Sequence, residues 1–182
     1  LDTDHVLMTG HSFGAHTIWS AAGASYDEAV IKASCADGSG RIEQDDCDEA
    51  SLAVLRDGLR DERVVAGVAM DGVVHRGLMG EGGHNDAAMP VLQISGDKEE
   101  ASSKKDLETC DGCPMTWVDI DGATHQNFAV TCSASDPSDP TCPSIRRWAL
   151  AFGLVHVLGD TAFAPWVRGE GSAYAVGVGV RR

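Results

Sequence analysis

The chain has 182 residues, of which 28 are acidic and 14 are basic, and its formal net charge is −14. A surface this acidic repels phosphate backbones and anionic membranes, so the composition argues against nucleic acid as a partner. Hydrophobic residues make up 43% of the chain and charged residues 23%, values that argue against wholesale disorder. No apolar run approaches the ~20 residues that are needed to cross a bilayer. We therefore expect a globular chain without a transmembrane segment.

Predicted strands and helices alternate along the first half of the chain. In order, we predict a strand at Val6–Met8, a helix at Ala15–Ala24, a loop at 34–48, a helix at Glu49–Arg60 and a strand at Arg63–Met70. The predicted strands are short apolar runs, and the second helix has leucines at helical spacing.

The second half continues the alternation. It contains a glycine-rich loop at 71–85, a strand at Pro90–Ser95, a polar helix at 98–109, a strand at Met115–Ile120, a loop at 132–143 and an amphipathic helix at Ser144–Leu158. Strands that alternate with helices or loops indicate an α/β fold with a mainly parallel sheet. We expect one domain over residues 1–160, followed by a C-terminal tail at 161–182.

The first predicted strand ends in the motif Gly10-x-Ser12-x-Gly14, and a helix of small and apolar residues follows it. A serine on a sharp turn between a strand and a helix exposes its hydroxyl as a nucleophile. The helix N-terminus then faces developing negative charge, and the amide of Phe13 can donate one oxyanion hydrogen bond. The motif in this context therefore predicts that Ser12 is a catalytic nucleophile.

A nucleophilic serine needs a histidine as general base, and in this kind of hydrolase the chain order is serine, acid, histidine. His125 follows the last predicted strand by a short turn, in the order that this arrangement requires. His16 and His156 fall in predicted helices, where core or surface roles are expected. His75 and His84 fall in the glycine-rich loop, where a solvated role is expected. The two remaining histidines, His5 and His11, flank the serine motif.

Four segments together resemble the platelet-activating-factor acetylhydrolase branch of the α/β-hydrolases, with parts shared by dienelactone hydrolases and chlorophyllases. These segments are GHSFG at 10–14, GVAMD at 67–71, PVLQIS at 90–95 and HQNF at 125–128. The resemblance implies a three-layer α/β-hydrolase fold and a triad of Ser12, an acid and His125 that hydrolyses carboxylic esters. It also implies a small-molecule or lipid ester as substrate, with no metal and no organic cofactor.

The acid of the triad has three candidates. Most α/β-hydrolases have it in a Gly-x-x-Asp pattern, which from Gly96 leads to Glu99, with Asp97 two residues early. In the acetylhydrolase and chlorophyllase branches the acid instead ends the preceding strand, and that position matches Asp71. We expect Asp71, with Asp97 and Glu99 as alternatives.

The chain begins at Leu1, without an initiator Met, directly before the predicted nucleophile strand. Hydrolases of this fold have earlier strands, and the second oxyanion amide comes from a loop after one of them. We therefore expect residues 1–160 to be the C-terminal part of an α/β-hydrolase domain that lacks the N-terminal strands. Loss of one oxyanion donor costs ~10²–10³ in rate, so such a piece would be a weak catalyst on its own.

All six cysteines fall in predicted loops: Cys35, Cys47, Cys110, Cys113, Cys132 and Cys142. Disulfides between residues 35 and 47 and between residues 132 and 142 would each close a short loop and contribute about 3 kcal/mol. An even number of loop cysteines predicts an oxidising compartment: the exterior, the periplasm or the cell envelope.

Neither of two possible metal sites fits its pattern. A zinc site from Cys110 and Cys113 with Cys132 and Cys142 lacks a second closely spaced pair. The acidic residues between 37 and 49 do not have the spacing of a calcium-binding EF-hand loop. We therefore predict no metal and no cofactor.

The sequence predicts a serine esterase that works through an acyl-enzyme. Ser12 attacks the ester, His125 transfers the proton, one of the three candidate acids orients the histidine, and the Phe13 N–H forms half of the oxyanion hole. The alternative is a secreted, hydrolase-like binding domain in which the triad is vestigial.

Overall fold

A computed structural model describes residues 2–38, 47–129, 141–168, 170 and 178–181. Among these residues, five strands form one sheet and are neighbours in chain order: β1 (Val6–His11), β2 (Val64–Met70), β3 (Val91–Ser95), β4 (Met115–Ile120) and β5 (Val178–Arg181). Strands β1 to β4 are parallel, and β5 pairs antiparallel with β4. The predicted α/β fold with a mainly parallel sheet is confirmed.

Helices lie between successive strands along the chain. They are α1 (Phe13–Ala21), α2 (Glu28–Asp37), α3 (Glu49–Asp57), α4 (Arg76–Met79), α5 (Glu100–Glu108), α6 (Thr141–His156) and α7 (Ala164–Val167). Short 3-10 turns occur at Gly83–Asp86, His125–Phe128 and Thr161–Phe163. The predicted helices and strands are present, with ends that differ by a few residues.

The sheet is packed on both faces, which gives three layers. On one face, buried residues of α1, including Ile18 and Trp19, pack with strand residues such as Val91 and Trp117. On the other face, α6 and α7 cover alternate strand residues, of which Leu92 is an example. This burial on both faces explains why β2 and β3 read as continuous apolar runs.

The tryptophans confirm the predicted core. Trp19, Trp117 and Trp148 are all buried, as their places in a helix, a strand and a helix predicted. Trp166, which the sequence did not place, stacks on Trp148 with ring centroids 4.1 Å apart. Residues just after position 160 therefore pack against α6, and residues 178–181 of the C-terminal tail supply β5.

Helix α2 was not predicted, and it corrects the loop that was expected from residue 34. Its first turn is capped by Asp27, whose carboxylate accepts hydrogen bonds from the N–H groups of Ala29 and Val30. Only Ile31 and Ser34 of this helix are buried. Without a repeating apolar stripe, the helix has no periodic signal in the sequence.

Two disulfides are present among the described residues. Cys35 pairs with Cys47, as predicted, although Cys35 lies in α2 rather than in a loop. Cys110 pairs with Cys113, so this pair is not available as zinc thiolates. The predicted bridge to Cys132 involves a residue outside the described ranges. Disulfides persist in oxidising compartments, and the two bridges are consistent with one.

The described residues contain no helix that is both long and apolar enough to cross a membrane.

The register of the sheet brings the carboxyl ends of β1, β2 and β3 to one edge. His11 is opposite Met70, and Met70 is opposite Ile94. The residues that follow these strands therefore start from the same edge, which is where ligands bind in open α/β sheets.

Candidate active site

Ser12 lies in the sharp turn between β1 and α1. Its φ is 58° and its ψ is −119°, a backbone conformation that residues with side chains rarely adopt. The Ser12 N–H donates a hydrogen bond of 2.9 Å to the carbonyl of Met70, which ties the turn to the end of β2. The predicted strand, turn and helix around Ser12 are therefore present, and the serine carries backbone strain of the kind that collects at functional sites.

The glycines near Ser12 are not equally constrained. A Cβ added at Gly10 would overlap the backbone carbonyl of Gly14, so glycine is required at the first position of the motif. A Cβ added at Gly14 would meet no described neighbour within 4 Å. Gly72 is a third, unpredicted constraint, because a Cβ there would overlap the Ser12 carbonyl. Glycines 10 and 72 thus allow the turn and the end of β2 to approach closely.

The N-terminus of α1 is free to act on a reacting group. Phe13 is the first residue of the helix, and the first N–H groups of a helix have no acceptor within it. Ser12 is the N-cap residue, but its side chain makes no capping hydrogen bond. The Ser12 hydroxyl is therefore not held by the helix, and the Phe13 N–H lies beside it.

Asp71 is held directly after β2 by its backbone and its side chain. Its φ is 43°, so it and Ser12 are the two described non-glycine residues with positive φ. The Asp71 N–H donates to the Ile94 carbonyl (2.7 Å), and the Gly96 N–H donates to Oδ1 of the carboxylate (2.9 Å). The side chain is 0% exposed, so its orientation is fixed by these bonds and by the packing around it.

The carboxylate of Asp71 is paired with His125. Oδ2 of Asp71 lies 2.5 Å from Nδ1 of His125, although 54 residues separate them in the chain. Because a carboxylate can only accept, the imidazole proton is on Nδ1, and the Nε2 lone pair can accept another proton. The structure thus brings together the favoured acid and the predicted base, in the relation that orients a histidine for proton transfer.

His125 is positioned by a short, well-bonded turn after β4. The backbone N–H and the hydroxyl of Thr124 both donate to Oδ1 of Asn127, at 2.7 and 2.6 Å, and the Asn127 N–H donates back to the Thr124 carbonyl. Phe128 is buried at the end of the same turn. The Asn and Phe of the HQNF segment therefore have a structural function, which is to cap and anchor the turn that carries the histidine.

The two alternative acids have other partners. Asp97 Oδ1 accepts a 2.8 Å hydrogen bond from the Gly122 N–H, and the Asp97 N–H donates to the Ala123 carbonyl. Glu99 Oε1 lies 3.6 Å from the ammonium of Lys98. Asp97 therefore supports the loop that leads to His125, whereas Asp71 contacts the imidazole itself.

His11 is part of the site, which the sequence did not predict. Its ring centroid lies 4.4 Å from that of His125. Burial and the neighbouring His125 lower the pKa of His11 below its ordinary value. The signal available in the sequence was position alone: His11 is the last residue of β1 and immediately precedes Ser12.

His16 and His75 form a second histidine pair near Ser12. Their ring centroids are 5.3 Å apart, and His16 is 7% exposed. Burial and the facing His75 lower the pKa of His16 to about 4, so it is neutral at pH 7.

The solvated role predicted for His84 is wrong. His84 is fully buried, and its Nε2 lies 3.0 Å from the backbone carbonyl oxygen of Asp106.

No described hydrogen bond joins the Ser12 hydroxyl to His125. Such bonds in hydrolases are often long or misaligned until substrate is bound, and rotation of the serine side chain can form them. His11 directly precedes Ser12 in the chain, and its ring packs against the ring of His125. Ser12 is therefore one residue away from a residue that contacts the imidazole. Both side chains are partly accessible to solvent.

The site also contains a set of possible metal ligands. His11, Asp71 and His125 each offer one ligand atom, and these atoms lie within 4.8 Å of one another. No other group of three such side chains meets this geometry within the described ranges.

The site can be interpreted only from its own residues, because comparison with known proteins assigns no family. No protein-family model matches the chain, and a search of curated proteins found no match to it.

Proposed function

We propose that the chain is a serine hydrolase that cleaves carboxylic esters through an acyl-enzyme, with Ser12, His125 and Asp71 as its catalytic triad. The observation that carries the proposal is the 2.5 Å contact between the buried carboxylate of Asp71 and Nδ1 of His125, beside the strained turn of Ser12. A buried acid, an oriented imidazole and a serine on a strand-to-helix turn are the components that acyl transfer needs.

In the proposed reaction, the Ser12 hydroxyl attacks the ester carbonyl while Nε2 of His125 accepts its proton. Asp71 stabilises the resulting imidazolium through Nδ1 and keeps the ring in the required tautomer. The Phe13 N–H donates to the oxyanion. As the tetrahedral intermediate collapses, His125 returns the proton to the leaving alcohol. Water then attacks the acyl-serine by the same route and releases the carboxylic acid.

The surroundings of Ser12 support an uncharged or apolar ester as substrate. Phe13, which directly follows the serine, is 67% exposed and offers an apolar contact surface. The net charge of −14 disfavours polyanionic substrates. We therefore propose small-molecule or lipid esters, and a comparison of acetyl, butyryl and long-chain p-nitrophenyl esters measures the preference.

Covalent labelling tests the proposed nucleophile directly. A fluorophosphonate probe should form an adduct on Ser12, located by mass spectrometry of the digested protein. Ser12→Ala should abolish the adduct, and His125→Gln should slow its formation by at least about 10² because the base is lost. Absence of an adduct in the folded wild-type chain would contradict the proposal and favour the hydrolase-like binding domain.

We also propose that the protein works outside a reducing cytoplasm, in the exterior, the periplasm or the cell envelope. The two disulfides support this, since such bonds are rare where thiols are kept reduced. Titration of thiols in the unfolded, unreduced protein should find none of the six cysteines free. Six free thiols in protein isolated from its native host would contradict this location.

A further inference from the structure

The ring of His11 has an unused nitrogen inside the site. Nε2 of His11 is buried and has no hydrogen-bond partner among the residues that the structure describes. Buried polar atoms are nearly always paired, so an unpaired one needs an explanation. The His125 ring, whose centroid lies 4.4 Å from that of His11, and the Asp71 carboxylate bonded to it add two possible ligands beside the His11 ring.

We propose that His11, Asp71 and His125 bind a divalent transition metal ion of the Zn²⁺ type, and that the bound ion inhibits the site. The three ligand atoms already lie within 4.8 Å of one another. Tetrahedral zinc with bonds of about 2.0–2.2 Å holds its ligand atoms about 3.4 Å apart, so modest side-chain rotations suffice to close the site. Two imidazoles and one carboxylate are a common zinc set, with the fourth position left for water.

The ligand types select against the hard cations. Ca²⁺ and Mg²⁺ prefer sites made mainly of oxygen ligands, and here two of the three donors are imidazole nitrogens. Imidazole suits zinc, copper and nickel. We therefore expect Zn²⁺ to bind and Mg²⁺ to be without effect at the same concentration.

Inhibition follows from the two nitrogens of His125. If the ion binds Nδ1, it replaces the proton that is shared with Asp71, and the ring proton moves to Nε2. Nε2 can then no longer accept the proton of Ser12. The base is therefore blocked, and removal of the ion restores it.

The chain contains a matched control for simple histidine–carboxylate binding. Nδ1 of His5 lies 3.0 Å from Oδ2 of Asp2, but both side chains are more than half exposed. This pair offers two ligands to an ion in water, whereas the proposed site offers three in a partly buried setting. Binding at the proposed site should therefore be tighter, and loss of His5 should not affect it.

Isothermal titration of the full chain with ZnCl₂ measures binding without reference to activity. We expect one ion per chain in the wild type and in His5→Gln. His11→Phe, which keeps a ring against His125, should weaken binding by more than about tenfold, since even an outer-shell partner of a metal ligand is worth about 10–100-fold. His11→Gln serves as a second variant, and a thermal unfolding curve for each confirms that it is folded.

The inhibitory part rests on the proposed esterase function, so it is measured separately. Zn²⁺ should inhibit ester hydrolysis over the range in which it binds, EDTA should restore the rate, and His11→Phe should be less sensitive relative to its own rate without zinc. The proposal is overturned if the wild type binds no zinc, if His11→Phe binds it equally well, or if bound zinc leaves hydrolysis unchanged. Zinc binding that depends on His11 in a chain without esterase activity would instead overturn the esterase and leave the metal site standing.

Discussion

Two buried carboxylates, Asp71 and Asp106, show how the same chemical group is used in two ways. Each residue is 1% exposed. Asp106 pairs with Arg76 at 2.6 Å, and a guanidinium can only donate hydrogen bonds. Asp71 pairs with His125, whose imidazole has one nitrogen that can donate a proton and one that can accept a proton. The partner therefore decides the role: a permanent ion pair holds structure, whereas the histidine pair is suited to proton transfer.

The surroundings of Asp106 fit the structural role. Its Oδ2 accepts hydrogen bonds from the Val74 N–H (3.0 Å) and from the side-chain amide of Gln93 (3.1 Å). These bonds connect α5 to β3 and to the segment that follows Asp71. Burial nevertheless raises the pKa of Asp106 above its ordinary value, despite these bonds.

The largest effect is expected at Asp71. Asp71→Asn should lower kcat for ester hydrolysis by ~10⁴, because the amide no longer selects the imidazole tautomer or stabilises the imidazolium. The buried site should still fold, and the circular dichroism spectrum and melting curve check this. A loss of kcat smaller than about tenfold in a folded variant would show that another acid serves His125.

Asp106→Asn should act on stability. Removal of the charge leaves Arg76 without its buried partner, and breaking such pairs costs about 3 kcal/mol or more of unfolding free energy. Urea unfolding followed by tryptophan fluorescence measures the loss. Glu81→Gln is the matched control, because Glu81 contacts the same guanidinium (2.9 Å) from an exposed position and should matter much less. Equal losses in the two variants would contradict the structural role of Asp106.

His16 extends the comparison to a buried histidine that faces another histidine, His75, instead of a carboxylate. Its pKa is lowered from 6.5 to about 4, so the unfolded chain binds a proton in this window that the folded chain does not. The contribution of His16 to the free energy of unfolding is therefore fully present above pH 6.5. It is lost as the pH falls toward 4, and the loss amounts to about 3 kcal/mol. His16→Phe should reduce the acid loss, as measured by urea unfolding at pH 7, 5.5 and 4.5. An unchanged pH dependence would contradict this assignment.

The smallest effect is expected at Asp97, the alternative acid that contacts the loop before His125 rather than the ring. Asp97→Asn keeps an oxygen that can accept from the Gly122 N–H, so unfolding free energy should fall by about 1 kcal/mol or less. The value of kcat should stay within about tenfold of the wild type. A loss as large as that expected for Asp71→Asn would reverse the assignment of the two acids.

The sequence predicted β1 to β4 well because each is a compact apolar run bounded by turn residues, but it treated residues 161–182 as a tail and missed β5. It missed α2, whose sequence has no apolar period and whose first turn depends on the Asp27 cap. It also treated the region after β2 as one loop, although α4 forms there. Short or weakly amphipathic helices depend on tertiary contacts, and a local pattern does not contain that information.

The candidate site shows the same division between local patterns and tertiary contacts. Ser12 and His125 are marked by local motifs, but the choice of acid depends on three dimensions. Asp71 and Asp97 both follow parallel strands at the same edge of the sheet, so spacing alone cannot choose between them. In the structure, the backbone at Asp71, with φ 43°, and the Gly96 N–H that binds its carboxylate bring Asp71 rather than Asp97 into contact with His125.

The positive φ angles of Ser12 and Asp71 have a consequence for engineering. Glycine adopts this backbone without strain, whereas other residues pay of order 1–3 kcal/mol for it. That is a large share of the 5–15 kcal/mol by which domains are stable. A library selected only for heat resistance should therefore accumulate glycine at Ser12, and those survivors should lack the proposed nucleophile. At Asp71 the loss of the buried hydrogen bonds to Gly96 and His125 offsets the relief of strain. A position where glycine raises thermostability and abolishes the hydrolysis of a model ester would in this way mark a residue whose backbone strain serves catalysis.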